Sequence, residues 1–211
     1  MVKIINKETS TNDKIIRLEF RNFLDKEAKK YRRQGHKAEV FEEFGVRHGT
    51  ARIDFAIING VMCGYEIKSD RDTLKRLPEQ VEEFSAVFDR LTLVVGKRHL
   101  YKAMHIIPDW WGVTLAKFDA DSRVIFHTIR KSRINKEQEK ISIARLLWRN
   151  EALQILEKRK RADDVRSKPR EFIYKRLSDT LSVKTLKRTV NSILMSREGW
   201  RSDLLLASHD G

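Results

Sequence analysis

Apolar residues recur along the chain with two periods. In "TNDKIIRLEFRNFLDKEAKKYRRQG", Ile16, Phe20, Phe23 and Leu24 stand at helical spacing behind Asn12 or Asp13 as cap, with Gly35 beyond the basic end, which predicts an amphipathic helix. "KAEVFEEFGV", "RIDFAII" and "MCGYEIKS" are short runs rich in β-branched and aromatic residues, separated by glycine-containing turns, and read as a meander of three strands. Asn59-Gly60, between the second and third, is a strong hairpin signal. "TLKRLPEQVEEFSAVFDR" returns to helical spacing through Leu77, Val81, Phe84 and Phe88. "LTLVVG" is nearly all apolar, as a strand covered on both faces must be. The order is αβββαβ.

A further strand pair, "GVTLAKFD" and "RVIFHTIRK", flanks the polar turn Asp119-Ala120-Asp121-Ser122 and extends the sheet. Beyond about residue 135 the strand patterns stop. "ISIARLLWRNEALQILEKRKR" and "SVKTLKRTVNSILMSREG" have helical periodicity, the second with Ser182 as cap and Gly199 as stop. "RLSDTLSVKTLKRTVNSIL" carries a faint helix-turn-helix pattern. The expected organisation is an α/β domain over residues 1–133, with a central mixed sheet flanked by helices, and a basic α-helical extension over residues 134–211.

Composition narrows the class. With 40% apolar residues spread through 211 positions, 3 Pro and 9 Gly, the chain is neither disordered nor fibrous. No run approaches the ~18 apolar residues of a membrane helix, and the start "MVKIINKETSTNDK" lacks the apolar block of a signal peptide, so a cytoplasmic protein with no membrane partner is expected. Cys63 is alone, which excludes an intramolecular disulfide and a zinc-finger spacing. The net charge is +14, and residues 121–211 carry most of the excess. Thirteen residues, "KRKRADDVRSKPR", hold seven basic side chains and two acidic ones, beginning with Lys158, Arg159, Lys160 and Arg161. Such a polycation favours a phosphate polymer as partner, because neutralising phosphates releases condensed counterions. Charge alone does not separate DNA from RNA.

One short stretch suggests chemistry. In "GYEIKSD", Glu66 and Lys68 share a strand face, since side chains alternate with period two, and Ile67 turns its side chain away and leaves its carbonyl free. The tripeptide itself is weak: an acid followed two places on by lysine should occur roughly three times by chance in this composition, and Glu27-Ala28-Lys29 is another copy. Context supplies the rest. Cutting a phosphodiester with a divalent ion needs carboxylates, an activated water and a cation near the developing charge. Asp54, on the neighbouring strand, and Glu66 could hold Mg²⁺ or Mn²⁺, with the Ile67 carbonyl as a third ligand and Lys68 at the attacking water.

The hairpin tests this arrangement. A two-residue Asn-Gly loop pairs Ile58 with Val61 and sets Asp54 opposite Tyr65, on the wrong face for Glu66. A three-residue loop pairing Ile58 with Met62, or a one-residue bulge, restores Asp54 opposite Glu66. Gly64 is the natural place for the bulge. An irregularity between residues 59 and 65 is therefore predicted.

Asp54, then Glu66-Ile67-Lys68, set in an αβββαβ order, resembles the PD-(D/E)XK nuclease superfamily with its restriction-endonuclease-like core. Gln80-Val81-Glu82-Glu83-Phe84 is similar to the Gln-x-x-x-Tyr motif of the RecB-like branch, with Phe for Tyr, and the stretch from "EEFGVRHGT" to "LTLVVG" is similar to a bacterial subfamily of predicted nucleases. Arg52-Ile53-Asp54 replaces the family's Pro-Asp. The resemblance implies a metal-dependent deoxyribonuclease in which Asp54 and Glu66 bind the metal, Lys68 serves the water and Gln80 sits beside the site. An upstream glutamate would complete the metal shell, with Glu43 preferred over Glu42 and Glu19. On a strand Glu42 and Glu43 face opposite ways, so only one is expected to reach the site.

Arg52, Arg71, Lys75 and Arg76, with Lys158 to Arg161, are the expected contacts to nucleic acid, DNA before RNA. Arg71, Lys75 and Arg76 could equally pair with Asp70, Asp72 and Glu79. The Trp110-Trp111 pair is expected in the core rather than stacking on bases. A homodimer is compatible with these features, and a catalytically silent nucleic-acid-binding protein of the same fold is the rival reading.

Overall fold

The structure is a computed structural model that describes residues 10–197. Helix α1 (Asp13–Arg33) opens on Asn12, whose side chain accepts the N–H of Ile15, and it stops just before Gly35 at φ +81. Strands β1 (Glu39–Val46), β2 (Ala51–Ile58) and β3 (Met62–Lys68) follow, then α2 (Leu77–Ser85), β4 (Arg90–Gly96) and the short α3 (Leu100–Met104). With β5 (Gly112–Phe118) and β6 (Val124–Arg130) they form one six-stranded sheet in chain order. Pairing is antiparallel for β1/β2, β2/β3 and β5/β6 and parallel for β3/β4 and β4/β5. Parallel neighbours cannot be joined by a tight turn, and α2 and α3 lie in the two crossovers. The described chain is thus mixed α/β with seven helices and a mixed sheet.

The sheet is covered on both faces. On one, α1 sets Ile16, Phe20 and Leu24, each one helical turn from the next, against Phe55, Ile67, Val94 and Ala116. On the other, Phe44, Ile53, Leu93 and Val95 pack with Phe84, Phe88 and Trp111, and the same cluster runs on through Ile143, Leu156, Tyr174, Leu186 and Leu194. β4 feeds both clusters, which is why its sequence carries no polar alternation. Trp111 is fully buried and donates its indole N–H to Ser85 Oγ (3.2 Å), so it belongs to the core as expected.

The helical region covers the second face of the sheet. The stretch from Ile141 to Arg161, which reads as one helix, is divided into α4 (Lys140–Ala144) and α5 (Arg149–Glu157). Trp148 breaks it with an extended backbone, and its N–H is received by the carboxylate of Glu151 (2.7 Å), which starts the next helix. The break lets Leu146 and Leu147 before it, and Ile155 and Leu156 after it, reach one core. α6 (Arg170–Thr180) and α7 (Val183–Ser196) meet at Leu181-Ser182, and Ser182 Oγ accepts the N–H of Thr185 as a cap. Tyr174 donates to Leu147 O (2.8 Å), Lys187 pairs with Asp89, and Asn191 reaches Gly60 O (3.3 Å), tying these helices to each other and to the β2–β3 turn. The helix stop expected at Gly199 lies outside the described residues. No described helix is long and apolar enough to cross a membrane.

The β2–β3 hairpin takes the three-residue loop. Ile58 pairs with Met62 and Phe55 with Tyr65, with Gly60 at φ +93 in the turn. The bulge alternative at Gly64 is not used: Gly64 pairs regularly with Ala56. Its missing side chain serves packing instead, since a Cβ there would meet Ile53 Cδ1 at 2.7 Å and Leu91 Cδ2 at 2.8 Å.

Candidate active site

The β2/β3 ladder ends at Phe55↔Tyr65, one step before Asp54 and Glu66, and a cleft of about 460 Å³ opens at that end. Asp54, Glu66, Ile67, Lys68, Gln80, Glu43, Arg52 and Arg76 line it, together with Asp13 and Arg17 from α1. The three-residue loop carries the register on to Asp54 and Glu66 at the open end of the ladder, where both carboxylates line the cleft.

Each acidic group is held by named donors. Asp54 Oδ2 accepts the backbone N–H of Ile67 (2.5 Å), and its Oδ1 is taken by the Arg17 guanidinium. Glu66 Oε1 accepts both Gln80 Nε2 (2.6 Å) and Lys68 Nζ. Glu66 Oε2 is buried with no partner, as is Gln80 Oε1. An unpaired buried carboxylate oxygen is costly, and this one belongs to a residue that lines the cleft. Burial raises the Glu66 carboxyl above its usual range, and Lys68 and Gln80 offset this in part. Burial, then the charge of Glu66, likewise raises Asp54, against the pull of Arg17, the Ile67 N–H and Lys68.

Glu43 reaches the cleft by a break in strand alternation. Phe41 and Phe44, three apart, both join the core on the α2 face, so the two glutamates between them both turn toward α1. Arg21 pairs with Glu42 and Arg17 with Glu43 (2.5 Å). The expectation that these glutamates face opposite ways is thereby corrected. Its physical reason is Glu43 at φ 48, a left-handed conformation that a non-glycine residue adopts at a cost. β2 follows in step: Ile53 and Ala56 both face the α2 side, while Asp54 and Phe55 both reach toward α1. Of the three upstream candidates, Glu43 lines the cleft, Glu42 is held by Arg21, and Glu19 is exposed on α1.

The basic candidates fall into two groups. Arg52 and Arg76 are exposed at the cleft, and Arg71 and Lys75 are exposed on the segment leading to α2. Among the described residues none of Arg71, Lys75 and Arg76 pairs with Asp70, Asp72 or Glu79; Asp70 binds Thr11 and Arg98 N–H, and Asp72 binds Ser69. Lys158, Arg159, Lys160 and Arg161 are exposed where α5 ends, outside the cleft. The chain from there leads to α6, whose Glu171 accepts from Arg145 and meets His48 at 3.0 Å, in the loop whose Gly49 and Thr50 line the cleft.

Sequence reasoning missed Asp13 and Arg17. The signal was present as Asp13, Arg17, Arg21 and Asp25, charges four residues apart that pair along one helix face.

The fold and the cleft together define a mixed α/β protein with a buried carboxylate pair, a lysine and a glutamine converging at the end of a central hairpin. Over residues 6–210 the chain matches the family described as Bacteriophage P4 protein cII, and it belongs to that family. "Protein cII" of Enterobacteria phage P4 is 31% identical over 120 residues, which is 56% of this chain and 45% of that relative. The chain therefore spans less than half the length of that curated relative. No solved structure matches it.

Proposed function

We propose that this protein is a Mg²⁺- or Mn²⁺-dependent nuclease of the PD-(D/E)XK kind that hydrolyses phosphodiester bonds in DNA. The observation that carries the reading is the partnerless, buried Oε2 of Glu66, beside Asp54, with Lys68 and Gln80 fixing the other oxygen. The strand order, three antiparallel strands followed by a parallel crossover through α2, agrees with the superfamily the sequence resembles.

The donor set suits a hard divalent ion. Such ions take oxygen ligands, commonly one or two carboxylates with water and substrate oxygens, and Asp54, Glu66, Glu43 and the Ile67 carbonyl offer only oxygen. Among the described residues, no three acidic, histidine or cysteine side chains are gathered closely enough to enclose an ion by themselves. Bound there, the ion would supply Lewis acidity and a more acidic water. Gln80 keeps Glu66 oriented, and the Ile67 N–H fixes the Asp54 carboxylate. Lys68 stands where it can hold the attacking water and offset charge on the phosphate. Arg52 and Arg76, exposed at the mouth, receive the backbone of the substrate.

One observation favours the rival, a binding protein of this fold that does not cut: Arg17 already neutralises Asp54 and Glu43. Incubation of the pure protein with single- and double-stranded DNA and RNA in Mg²⁺ or Mn²⁺, beside Asp54→Ala and Lys68→Ala, decides between them. Cleavage lost in both variants is expected. Nucleic-acid binding without cleavage by any form would favour the silent binder.

A further inference from the structure

Arg17 does in this cleft what a cation does. Its Nη2 takes Asp54 Oδ1, its Nη1 takes Glu43 Oε1 (2.5 Å), and its Nε takes Asp13 Oδ2 (2.8 Å). The Asp54 oxygen it occupies is the one that the Ile67 N–H leaves open. Glu43 is delivered to it by a left-handed backbone in the middle of a strand. An ordinary helix–strand ion pair needs none of this, as the neighbouring pair shows: Arg21 one turn along holds Glu42 and Asp25 without reaching a cleft residue. The Arg17 side chain keeps 29% of its surface exposed, so it has a way out to solvent.

We propose that Arg17 is an exchangeable internal counter-ion that holds the cation position between Asp54 and Glu43, and that a divalent ion binds there only by displacing it. This rests on the metal-site reading above and adds a competitor to it. A single planar guanidinium spans all three acids, with one N–H to each of Asp54, Glu43 and Asp13. The guanidinium lies across the gap between Asp54 Oδ1 and Glu43 Oε1 that the ion would fill, and two positive charges against the same oxygens repel, so the side chain and the ion compete for the position. The ion's apparent affinity scales with the fraction of molecules in which Arg17 has left the acids, so whatever loosens Arg17 tightens the ion. A phosphate anion is a natural competitor for the released guanidinium, which would couple ion entry to the arrival of nucleic acid.

Calorimetric titration of Mn²⁺ into the full chain, Arg17→Gln, Arg21→Gln and Asp54→Asn tests the exchange, with thermal melts to confirm folding. Arg17→Lys is the reserve should the glutamine variant melt early, because a lysine keeps the charge but lacks the planar fork whose separate nitrogens span Asp54, Glu43 and Asp13, so it too should bind Mn²⁺ more tightly than the wild type. Arg17→Gln should bind Mn²⁺ about five- to a hundredfold more tightly, the ordinary range of a coupling between sites, with Arg21→Gln unchanged and Asp54→Asn giving no specific heat. Equal or weaker binding by Arg17→Gln, or equal tightening by Arg21→Gln, would overturn the exchange while leaving the metal site standing. If even Arg17→Gln shows no Asp54-dependent heat, the metal site and the exchange fall together.

Discussion

Thr11 donates both its backbone N–H and its hydroxyl to one carboxylate oxygen of Asp70, at 2.9 and 2.8 Å. The other oxygen accepts the N–H of Arg98 (2.9 Å). Asp70 lies two residues beyond Lys68, and Thr11 two residues before α1, so this one carboxylate ties the start of α1 to the end of β3. It thereby sets where Arg17 meets Asp54. Gly96 is shaped around the contact, since a Cβ on it would sit 2.4 Å from Asp70 Oδ1.

Replacing Asp70 by alanine strands buried donors of Thr11 and Arg98 and should cost about 2–3 kcal/mol, read from urea unfolding. Burial works to raise the Asp70 carboxyl, but the N–H groups of Arg98 and Thr11 and the Thr11 hydroxyl outweigh it and hold the group below its usual range. Its contribution is thus present above the ordinary carboxyl pKa and lost as pH falls through the lowered one. Asp70→Ala should flatten the acid limb of the stability profile. An unaltered limb would mean that the clamp does not form.

Asp54 should act in the opposite sense. Burial first, and the Glu66 charge second, raise its carboxyl from 3.8 to about 7. A raised acid binds more protons in the folded chain than in the unfolded one, so its stabilising share is complete below 3.8 and lost as pH rises through about 7. Without divalent ions, urea midpoints of the wild type should fall more steeply across that window than those of Asp54→Asn. Parallel slopes would show that the pair does not carry a proton.

Gly64→Ala tests the hairpin. The added methyl would press on Ile53, Leu91 and Phe88 in a filled core, with Phe88 Cδ1 at 3.0 Å. A loss of about 1–3 kcal/mol is expected from such overpacking. A neutral substitution would indicate that β3 is free to shift against β4.

The basic run after α5 is testable without disturbing the core. Lys158, Arg159, Lys160 and Arg161 are exposed, whereas the hydrophobic cluster passes from the sheet through α7, so removing the helical region would strip the sheet of its cover. Replacing all four by serine should leave the melting temperature nearly unchanged. If they contact phosphates, the slope of log affinity for DNA against log salt should fall by up to about 3–4, at roughly 0.9 per duplex phosphate contact. An unchanged slope would remove this run from the nucleic-acid interface.

Much of the fold was legible because its signals are local. Asn12 and Ser182 cap the helices that their positions announced, and the strands fall where β-branched and aromatic runs lie. The all-apolar pattern of β4 predicted its burial on both faces. The break at Trp148 was not legible, since Ile141 to Arg161 keeps helical periodicity across it. Two short helices rather than one result from the need of Leu147 and Leu156 to meet the same distant core.

For the candidate site the division is similar. Asp54, Glu66 and Lys68 could be named from spacing and strand parity, Gln80 only through the family resemblance, and the required register reduced to two alternatives. The sequence by itself determined which residues could converge and which hairpin would let them. The tertiary structure chose the three-residue loop over the bulge, because Gly64 must stay in the ladder to admit Ile53 and Leu91. It also turned Glu43 inward through a left-handed backbone and laid Arg17 across Asp54, outcomes set by the docking of α1 across one face of the sheet. Periodicity is a property of neighbours in the chain. The partner of a buried charge is decided by whatever surface packs against it, and here that surface is a helix some forty residues upstream.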